Sequence, residues 1–463
     1  MQIIRGRRGA PTEATRGGAA GGYAGNGRST ARVVIISASA GAGHDGASRE
    51  LARRLRERGL LADCLDLADI FPWGLGRLLR GTYHGMLSRV PWIYGMLFAI
   101  GSRFRRAAPI TRTLLRPVWP RVLAVLPPDT RAVVSAYPVV SQIVGPMRRE
   151  GQLPVPVITY LTDFAVNPIW ISPGVDLHCA GHETSRAEAR ALGAGEVRVG
   201  GRMVSPGFEP GDARDRHRAR ERFGLPAGER LALLVAGSWG VGEVAKTAAE
   251  IAASGAAVPV VVCGRNEDLY RRLSRTRVGH VFGWVDDMPD LLRAADVLVE
   301  NAGGLTALEA LACGLPVLTY RPIPGHGKAN AATMARAGMV TWVRRRADLG
   351  PALTELTQGE AGRRQREAGL ALFALDPAKM IAEVILGVRP APTTRPPRGG
   401  ARPEPAPPHT APPPGPFSAQ PPATAPTGPP RRRLFRRVGA ATSLDEPRVD
   451  GVHRSANRPE RQG

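Results

Sequence analysis

Residues 296–330, DVLVENAGGLTALEALACGLPVLTYRPIPGHGKAN, constrain the fold more than any other stretch of the chain. The apolar run Val297–Val299 predicts a buried strand, the Gly303-Gly304 pair a turn, and the residues from Thr306 onward a helix. Pro316–Tyr320 predicts a second strand, followed by a Gly/Pro loop and another helix. A strand that ends in glycines and feeds a helix directs unpaired N–H groups and the positive helix end at one point, which suits a phosphate. One turn into that helix, Glu309 lies on the same edge, where a carboxylate can accept from the two hydroxyls of a ribose. Phosphate and ribose together point to a nucleotide.

The same grammar recurs along the chain. ARVVIISASAGAGHDGASRELARRLRERG predicts a strand over Val33–Ser37, a glycine loop ending in Gly43-His44, and an amphipathic helix from near Gly46 to Gly59. LLADCLDLAD supplies the next strand, so the loop lies at the carboxyl end of strand one, where open α/β sheets bind ligands. A histidine there is either a cap or core residue or a functional group facing a cleft, and its Gly-flanked loop favours the second. Further strands are expected at Ala132–Ser135 and at Val155–Leu161, the latter running into Thr162-Asp163. Asp163 is therefore a candidate for catalysis or substrate binding, with a helix N-cap or turn acid as the alternative. EVRVGGRMVSPGF ends this unit in a Gly/Pro segment suited to a hinge. LALLVAGSWGVGE then opens a second unit with another candidate phosphate loop, Gly237 to Gly242, and Gly264-Arg265-Asn266 and Gly283-Trp284-Val285 mark later strand ends.

The expected organisation is a disordered basic N-terminus (1–30), an N-terminal Rossmann-like domain (31–205) and a linker (206–228). A C-terminal Rossmann-like domain (229–375), a closing helix (376–387) and a disordered Pro/Arg-rich tail (388–463) follow. The formal net charge of +23 invites a nucleic-acid reading, but 22 of those charges sit in residues 1–32, 71–128 and 388–463. The remaining globular sequence is nearly neutral, which argues against a nucleic-acid partner held across a whole face. Residues 71–128 hold nine arginines and no acid, interleaved with Trp73, Trp92 and Trp119. Arginines beside amphipathic aromatics suit the interface of an anionic membrane; a helical insertion with packed aromatics and solvated arginines is the alternative. The four cysteines, Cys64, Cys179, Cys263 and Cys313, show no paired or metal-ligand spacing and are expected to be buried reduced thiols in a cytosolic protein.

GAGH, TDF followed by IW, GSWGVGE, CGRNEDL, FGWVDDMPDLLRAADVLV and NAGGLTALEALACGLPVLTY, in this order, resemble the monogalactosyldiacylglycerol synthase and processive diacylglycerol glucosyltransferase family. That family is related to the bacterial lipid II N-acetylglucosaminyltransferase, and the resemblance runs from about residue 31 to 387. It implies an α/β GT-B fold, with two facing Rossmann-like domains and a cleft between them. It also implies an inverting, metal-independent hexosyl transfer from a UDP-sugar to a membrane lipid such as diacylglycerol. No cofactor is implied; the nucleotide sugar is a substrate. The protein would then be cytoplasmic and peripheral on the inner face of the plasma membrane.

Carried over onto this sequence, Gly303, Gly304, Leu305 and Thr306 would contact the donor diphosphate and Glu309 the ribose. Gly237, Ser238 and Gly240 would complete the diphosphate site, Val285 would lie beside the base, and Gly264, Arg265, Asn301, His326 and Asn330 would join the donor pocket. His44 and Asp163 would be rival catalytic bases. Trp73, Arg77, Arg80, Trp92, Arg103, Arg105, Arg106 and Trp119 would form the acceptor and membrane region. The sequence departs from the family where Glu300 and Ala302 flank the glycine turn in place of lysine and proline. It departs again at His326-Gly327-Lys328, where relatives carry the Gln-Glu pair that binds sugar hydroxyls, at Gly201-Arg202-Met203-Val204 and at Gly237-Ser238-Trp239. Two further readings stay open: a catalytically silent nucleotide-sugar sensor or membrane-bound scaffold on the same fold, motivated by the lost Gln-Glu pair, and a transferase for a polyprenyl or soluble acceptor, which applies if 71–128 does not contact a membrane.

Overall fold

Val33 to Ile36 and Leu231 to Val235 are consecutive apolar residues buried at every position, as strands covered by helices on both faces require. In the computed structural model each run forms a central strand of a parallel six-stranded sheet. The structure describes residues 31–38, 42–71, 107–235 and 237–387, with Gly76, Gly81, Thr82 and Met96 as single positions between. The expectations for the two chain ends, and for Trp73, Arg77, Arg80, Trp92, Arg103, Arg105 and Arg106, lie outside the described residues.

The first sheet comprises β1 (Arg32–Ser37), β2 (Leu61–Asp66), β3 (Thr130–Ser135), β4 (Val157–Tyr160), β5 (Leu177–Ala180) and β6 (Val197–Val199), in the order β2-β1-β3-β4-β5-β6. Its helices are α1 (Ala42–Glu57), α2 (Leu67–Ile70), α3 (Ala107–Leu115), α4 (Trp119–Val125), α5 (Pro138–Arg149) and α6 (Glu183–Ala191). The second sheet comprises β7 (Leu231–Val235), β8 (Val258–Val262), β9 (His280–Phe282), β10 (Val297–Glu300), β11 (Val317–Tyr320) and β12 (Thr341–Val343), in the order β12-β11-β10-β7-β8-β9. Around it lie α7 (Ala213–Phe223), α8 (Val244–Ser254), α9 (Glu267–Ser274), α10 (Met288–Ala294), α11 (Leu305–Ala312), α12 (His326–Arg336), α13 (Leu349–Gln358) and α14 (Glu360–Ala371). The last helix, α15 (Pro377–Ile385), returns to the first domain, where Ala378, Ile381 and Ala382 are buried with Val33, Ile35, Leu51 and Leu55.

Strand order reverses between β1 and β3 in one sheet and between β7 and β10 in the other. Open parallel sheets leave a crevice at the carboxyl ends of such neighbours. The loops that lead into α1, α8 and α11 therefore converge on crevices. The chain crosses between domains twice, and the crossings touch: the Arg202 N–H donates to the Leu372 carbonyl at 2.8 Å.

Two helix starts differ from the sequence reading. α11 begins at Leu305, one residue early, and α1 begins at Ala42, well before Gly46. Gly43 and Gly46 thus lie inside α1, where Leu305 packs on them. A Cβ on Gly43 would sit 3.7 Å from the Leu305 Cβ, and one on Gly46 2.7 Å from its Cδ2. The cysteine expectation also needs correcting. Cys179 and Cys263 are buried, but Cys64 is exposed and Cys313 only partly covered. Cys64 is on β2, an edge strand with an open flank.

Candidate active site

On the donor side, β10 ends in a loop whose amides are divided between two uses. The buried carboxylate of Glu300 accepts from the Ala302 N–H at 2.6 Å, from the Gly303 N–H and from the Thr319 hydroxyl. Burial raises this carboxyl above the ordinary range, and the three hydrogen bonds hold the rise down. Gly303 is thus no free phosphate donor, which corrects its assignment: its role is the turn. It sits at φ +63°, and a Cβ there would lie 2.7 Å from the Asn330 Cβ. Gly304, Leu305 and Thr306 differ. Their N–H groups, at the start of α11, have no protein acceptor among the described residues. These three amides and the helix dipole form the anion cradle.

The loop from Gly237 to Gly242 faces this cradle across the β7–β10 crevice, with Gly237, Gly240 and Gly242 all at positive φ. Asn301 props it, donating from Nδ2 to the Val241 carbonyl at 2.8 Å. Asn301, expected to bind donor, is instead a strut between the two cradling loops. Gly264 packs beneath: the Arg265 N–H donates to the Ser238 carbonyl at 2.9 Å, and a Cβ on Gly264, at φ +62°, would lie 2.7 Å from that oxygen. Gly264→Ala is expected to cost about 1–3 kcal/mol through this clash and strain. It should appear as a lower denaturant midpoint together with weaker nucleotide binding.

Arg265 lies over the half-exposed Trp284 ring, 4.5 Å from its centroid, while Val285 packs on the domain core. Glu309, one turn past Leu305 on α11, has no partner recorded among the described residues, and burial alone pushes its carboxyl up to about 7. A desolvated carboxylate is poised to accept hydrogen bonds from hydroxyl groups.

On the facing domain, His44 is in the first turn of α1 and half-buried. Its Nδ1 is 2.7 Å from the Thr162 hydroxyl, which in turn lies 3.4 Å from the Ala136 carbonyl. With the Thr162 hydroxyl donating to the Ala136 carbonyl, its oxygen is left to accept from Nδ1–H, an arrangement that matches the tautomer with its lone pair on Nε2. The ring stacks edge-on against Tyr137, with centroids 5.1 Å apart, and lies 6.4 Å from Trp170. Trp170 donates from Nε1 to Asp163 Oδ2 at 3.1 Å, so it joins the two rival bases.

The third titratable group comes from the other domain. His326 opens α12, and with Asp163, Asn167 and Asn330 it lines a cavity of about 270 Å³. Burial depresses its imidazole; the Asp163 charge opposes this and His44 adds to it. Asn330 bridges the cleft, its Oδ1 accepting from the Ala165 N–H at 2.9 Å and its Nδ2 donating to the Ala302 carbonyl at 3.3 Å. It too holds loops together, although the sequence reading had placed it on the donor. Glu188 of α6 extends the bridge, accepting from the Thr333 hydroxyl of α12 at 2.9 Å.

Trp119 was expected at the membrane. It is partly buried against the first-domain core, with the Arg116 guanidinium over its ring, so at this position the packed alternative describes the side chain. Leu114, Leu123 and Val125 of the same helices are exposed, beside the exposed Arg116 and Arg121.

Several residues of the site escaped the sequence reading. Thr162 was visible in TDF, but only the geometry shows that it faces His44. Arg202 appeared as a departure in a hinge, without a role. Arg321 gave no signal: it holds φ +52° just past β11, and its guanidinium bonds Glu250 of α8 and Glu243, the N-cap of that helix.

A family model for monogalactosyldiacylglycerol (MGDG) synthase matches residues 50–200, and one for glycosyl transferases group 1 matches residues 233–356. A processive diacylglycerol beta-glucosyltransferase of Bacillus pumilus (strain SAFR-032) is 28% identical over 236 residues, covering 49% of this chain and 61% of that relative. The match thus spans less than two thirds of that protein. The enzyme of the same name from Bacillus cereus (strain B4264) is 25% identical over 381 residues, covering 77% of this chain and 93% of its own. Among solved structures, Anabaena Alr3699/HepE in complex with UDP aligns with a TM-score of 0.48 at 14% identity, over 77% of this chain and 100% of that one.

Proposed function

We propose that this chain is an inverting, metal-independent hexosyltransferase of the monogalactosyldiacylglycerol synthase and processive diacylglycerol glucosyltransferase family, to which it is similar over residues 50–200. On this reading it uses a UDP-sugar as donor and a membrane lipid such as diacylglycerol as acceptor. One observation carries the reading: the start of α11, with three amides that have no protein acceptor among the described residues, packs through Leu305 onto the first turns of α1, which carry His44. A base and an anion cradle therefore face one another across the cleft, as displacement at a sugar carbon requires.

In this mechanism His44 Nε2 takes the proton of the acceptor hydroxyl as its oxygen attacks C1 of the hexose. The bond between C1 and the β-phosphate oxygen breaks, with inversion. The charge that grows on the diphosphate is met by the N–H groups of Gly304, Leu305 and Thr306 and by the α11 dipole, the task a metal performs elsewhere. Attack from the face opposite the leaving group is what inverts the centre. Thr162 keeps the Nδ1 proton in place, so the imidazolium that forms remains hydrogen-bonded. Asp163 shares its cavity with His326 and stabilises the positive charge that develops there. No cofactor enters.

No helix among the described residues is long and apolar enough to cross a membrane. The exposed Leu114, Leu123 and Val125 with Arg121 support a peripheral seat on an anionic bilayer. The silent-scaffold reading draws on His326-Gly327-Lys328, which stand where relatives carry the Gln-Glu pair that binds sugar hydroxyls.

The test is transfer of label from a panel of UDP-sugars into diacylglycerol vesicles that contain anionic phospholipid, with and without EDTA. Labelled glycolipid of inverted anomeric configuration, formed equally in EDTA, is expected. Nucleotide binding without transfer to lipid, polyprenyl or soluble acceptors would establish the scaffold reading instead.

A further inference from the structure

Arg202 is one of the largest fully buried side chains of the protein, at 1% exposure, yet it carries a guanidinium. Burying an uncompensated charge costs several kcal/mol, so its partners show what it is for. No carboxylate is recorded among them. Its Nη1 donates to the carbonyls of Leu161 at 2.7 Å and Thr162 at 2.8 Å, and its Nη2 donates to that of Asp163 at 2.7 Å. Three consecutive carbonyls at the end of β4 thus converge on one planar fork. The seat is tight. A Cβ on Gly181 would overlap the guanidinium, and the Phe164 ring centroid lies 5.2 Å from Cζ. The backbone of Arg202 is fixed as well, through its N–H bond to Leu372 where the two interdomain crossings meet.

The three residues held by this fork matter for what they carry. Thr162 presents its hydroxyl to His44 Nδ1, and Asp163 presents its carboxylate to Trp170 and to the cavity shared with His326. Carbonyls that diverge after a strand ordinarily turn to water or to a following helix. Here they bend toward one cation, and that bend sets the direction of the Thr162 and Asp163 side chains. The assignment rests on the transferase reading above.

We infer that Arg202 is a positioning residue for the sugar transfer: its guanidinium holds the Leu161–Asp163 turn so that Thr162 fixes the tautomer of His44, and it ties that turn to the joint between the domains. Lysine retains the charge but is a point donor without the planar fork, so it cannot serve three carbonyls in this geometry.

The test uses the full-length protein with Arg202→Lys, Thr162→Val and the double variant. Arg202→Lys is expected to lower kcat about tenfold or more, the scale of a disturbed general base, while the KM for the UDP-sugar stays within about twofold. Thr162→Val should give a similar loss, Thr162→Ser should recover most of it, and the double variant should be no worse than the poorer single variant. A double variant in which the two losses multiply would overturn the inference, as would an Arg202→Lys enzyme with unchanged kcat. The ¹⁵N shifts of the His44 ring supply a readout independent of activity: one Nδ1–H tautomer in the natural protein, a mixture in Arg202→Lys. If the natural protein transfers no sugar, the functional reading fails, yet the tautomer comparison still decides the role of Arg202; identical ring spectra overturn it. Should Arg202→Lys not fold, Arg202→Gln, whose amide can serve two carbonyls, takes its place in each comparison.

Discussion

His44→Ala is expected to lower kcat for sugar transfer by roughly 10²–10⁴-fold, the usual contribution of a positioned general base. The KM for the UDP-sugar should change by no more than about threefold, because the lost interaction is made only in the transition state. The prediction rests on the placement of the ring. Its Nδ1 is 2.7 Å from the Thr162 hydroxyl, and the turn of α1 that carries it packs on Leu305 at the start of α11. Steady-state kinetics with the donor and lipid acceptor varied in turn provide the check. Asp163→Asn is the control that separates the rivals. Its carboxylate already accepts from the Trp170 indole, so it should cost less than His44→Ala. A larger loss for Asp163→Asn would transfer the role of base to Asp163.

Glu309→Ala is expected to weaken UDP binding by about 1–3 kcal/mol, the range for a lost hydrogen bond to a charged group. The raised carboxyl adds a pH signature. In the empty protein burial holds the group at about 7. Ribose hydroxyls donate to the ionised form, so binding draws it toward ionisation and releases a proton. Affinity should therefore rise with pH up to about 7 and level off above it, and Glu309→Gln should flatten that dependence. Calorimetry in buffers of different ionisation enthalpy measures the released proton directly. For folding the sign is opposite. Between the ordinary carboxyl value of 4.5 and about 7 the native state binds more protons at Glu309 than the unfolded chain does. This group thus subtracts from the stability of the unliganded protein as pH rises through that window, and Glu309→Gln should remove the loss.

The alternation of strand, glycine loop and helix was legible because parallel strands covered on both faces must be apolar throughout, as at 33–36 and 231–235. Glycines at strand ends then located both crevices. What local sequence conceals is the destination of each polar group. The Gly303 amide looked free until Glu300, three residues earlier, proved to occupy it. Asn301 and Asn330 have the chemistry of ligand contacts, but their amides are satisfied by backbone groups 60 and 165 positions away, Val241 and Ala165. The helix α1 was expected to start near Gly46 because glycine disfavours helix interiors. The tertiary contact with Leu305, whose Cδ2 would lie 2.7 Å from a Cβ on Gly46, favours glycine there. Arg202 was hidden for the opposite reason. An arginine near a hinge reads as solvent-facing, and its burial depends on three carbonyls about forty positions upstream.

The two crossings between the domains meet at a single hydrogen-bonded place, Arg202 against Leu372. Had they been far apart they would act like two door pins and confine motion to one axis; joined, they form a pivot. For any rotation about a pivot, displacement grows in proportion to the length of the lever arm. Arg202 reaches directly to the Leu161–Asp163 turn, so Thr162 and its contact with His44 lie at the short end of that arm. Because His44 and Thr162 both belong to the first domain, a rotation about this joint would carry their contact as a unit, and the ties it would have to part are those of Asn330 to Ala165 and of Thr333 to Glu188.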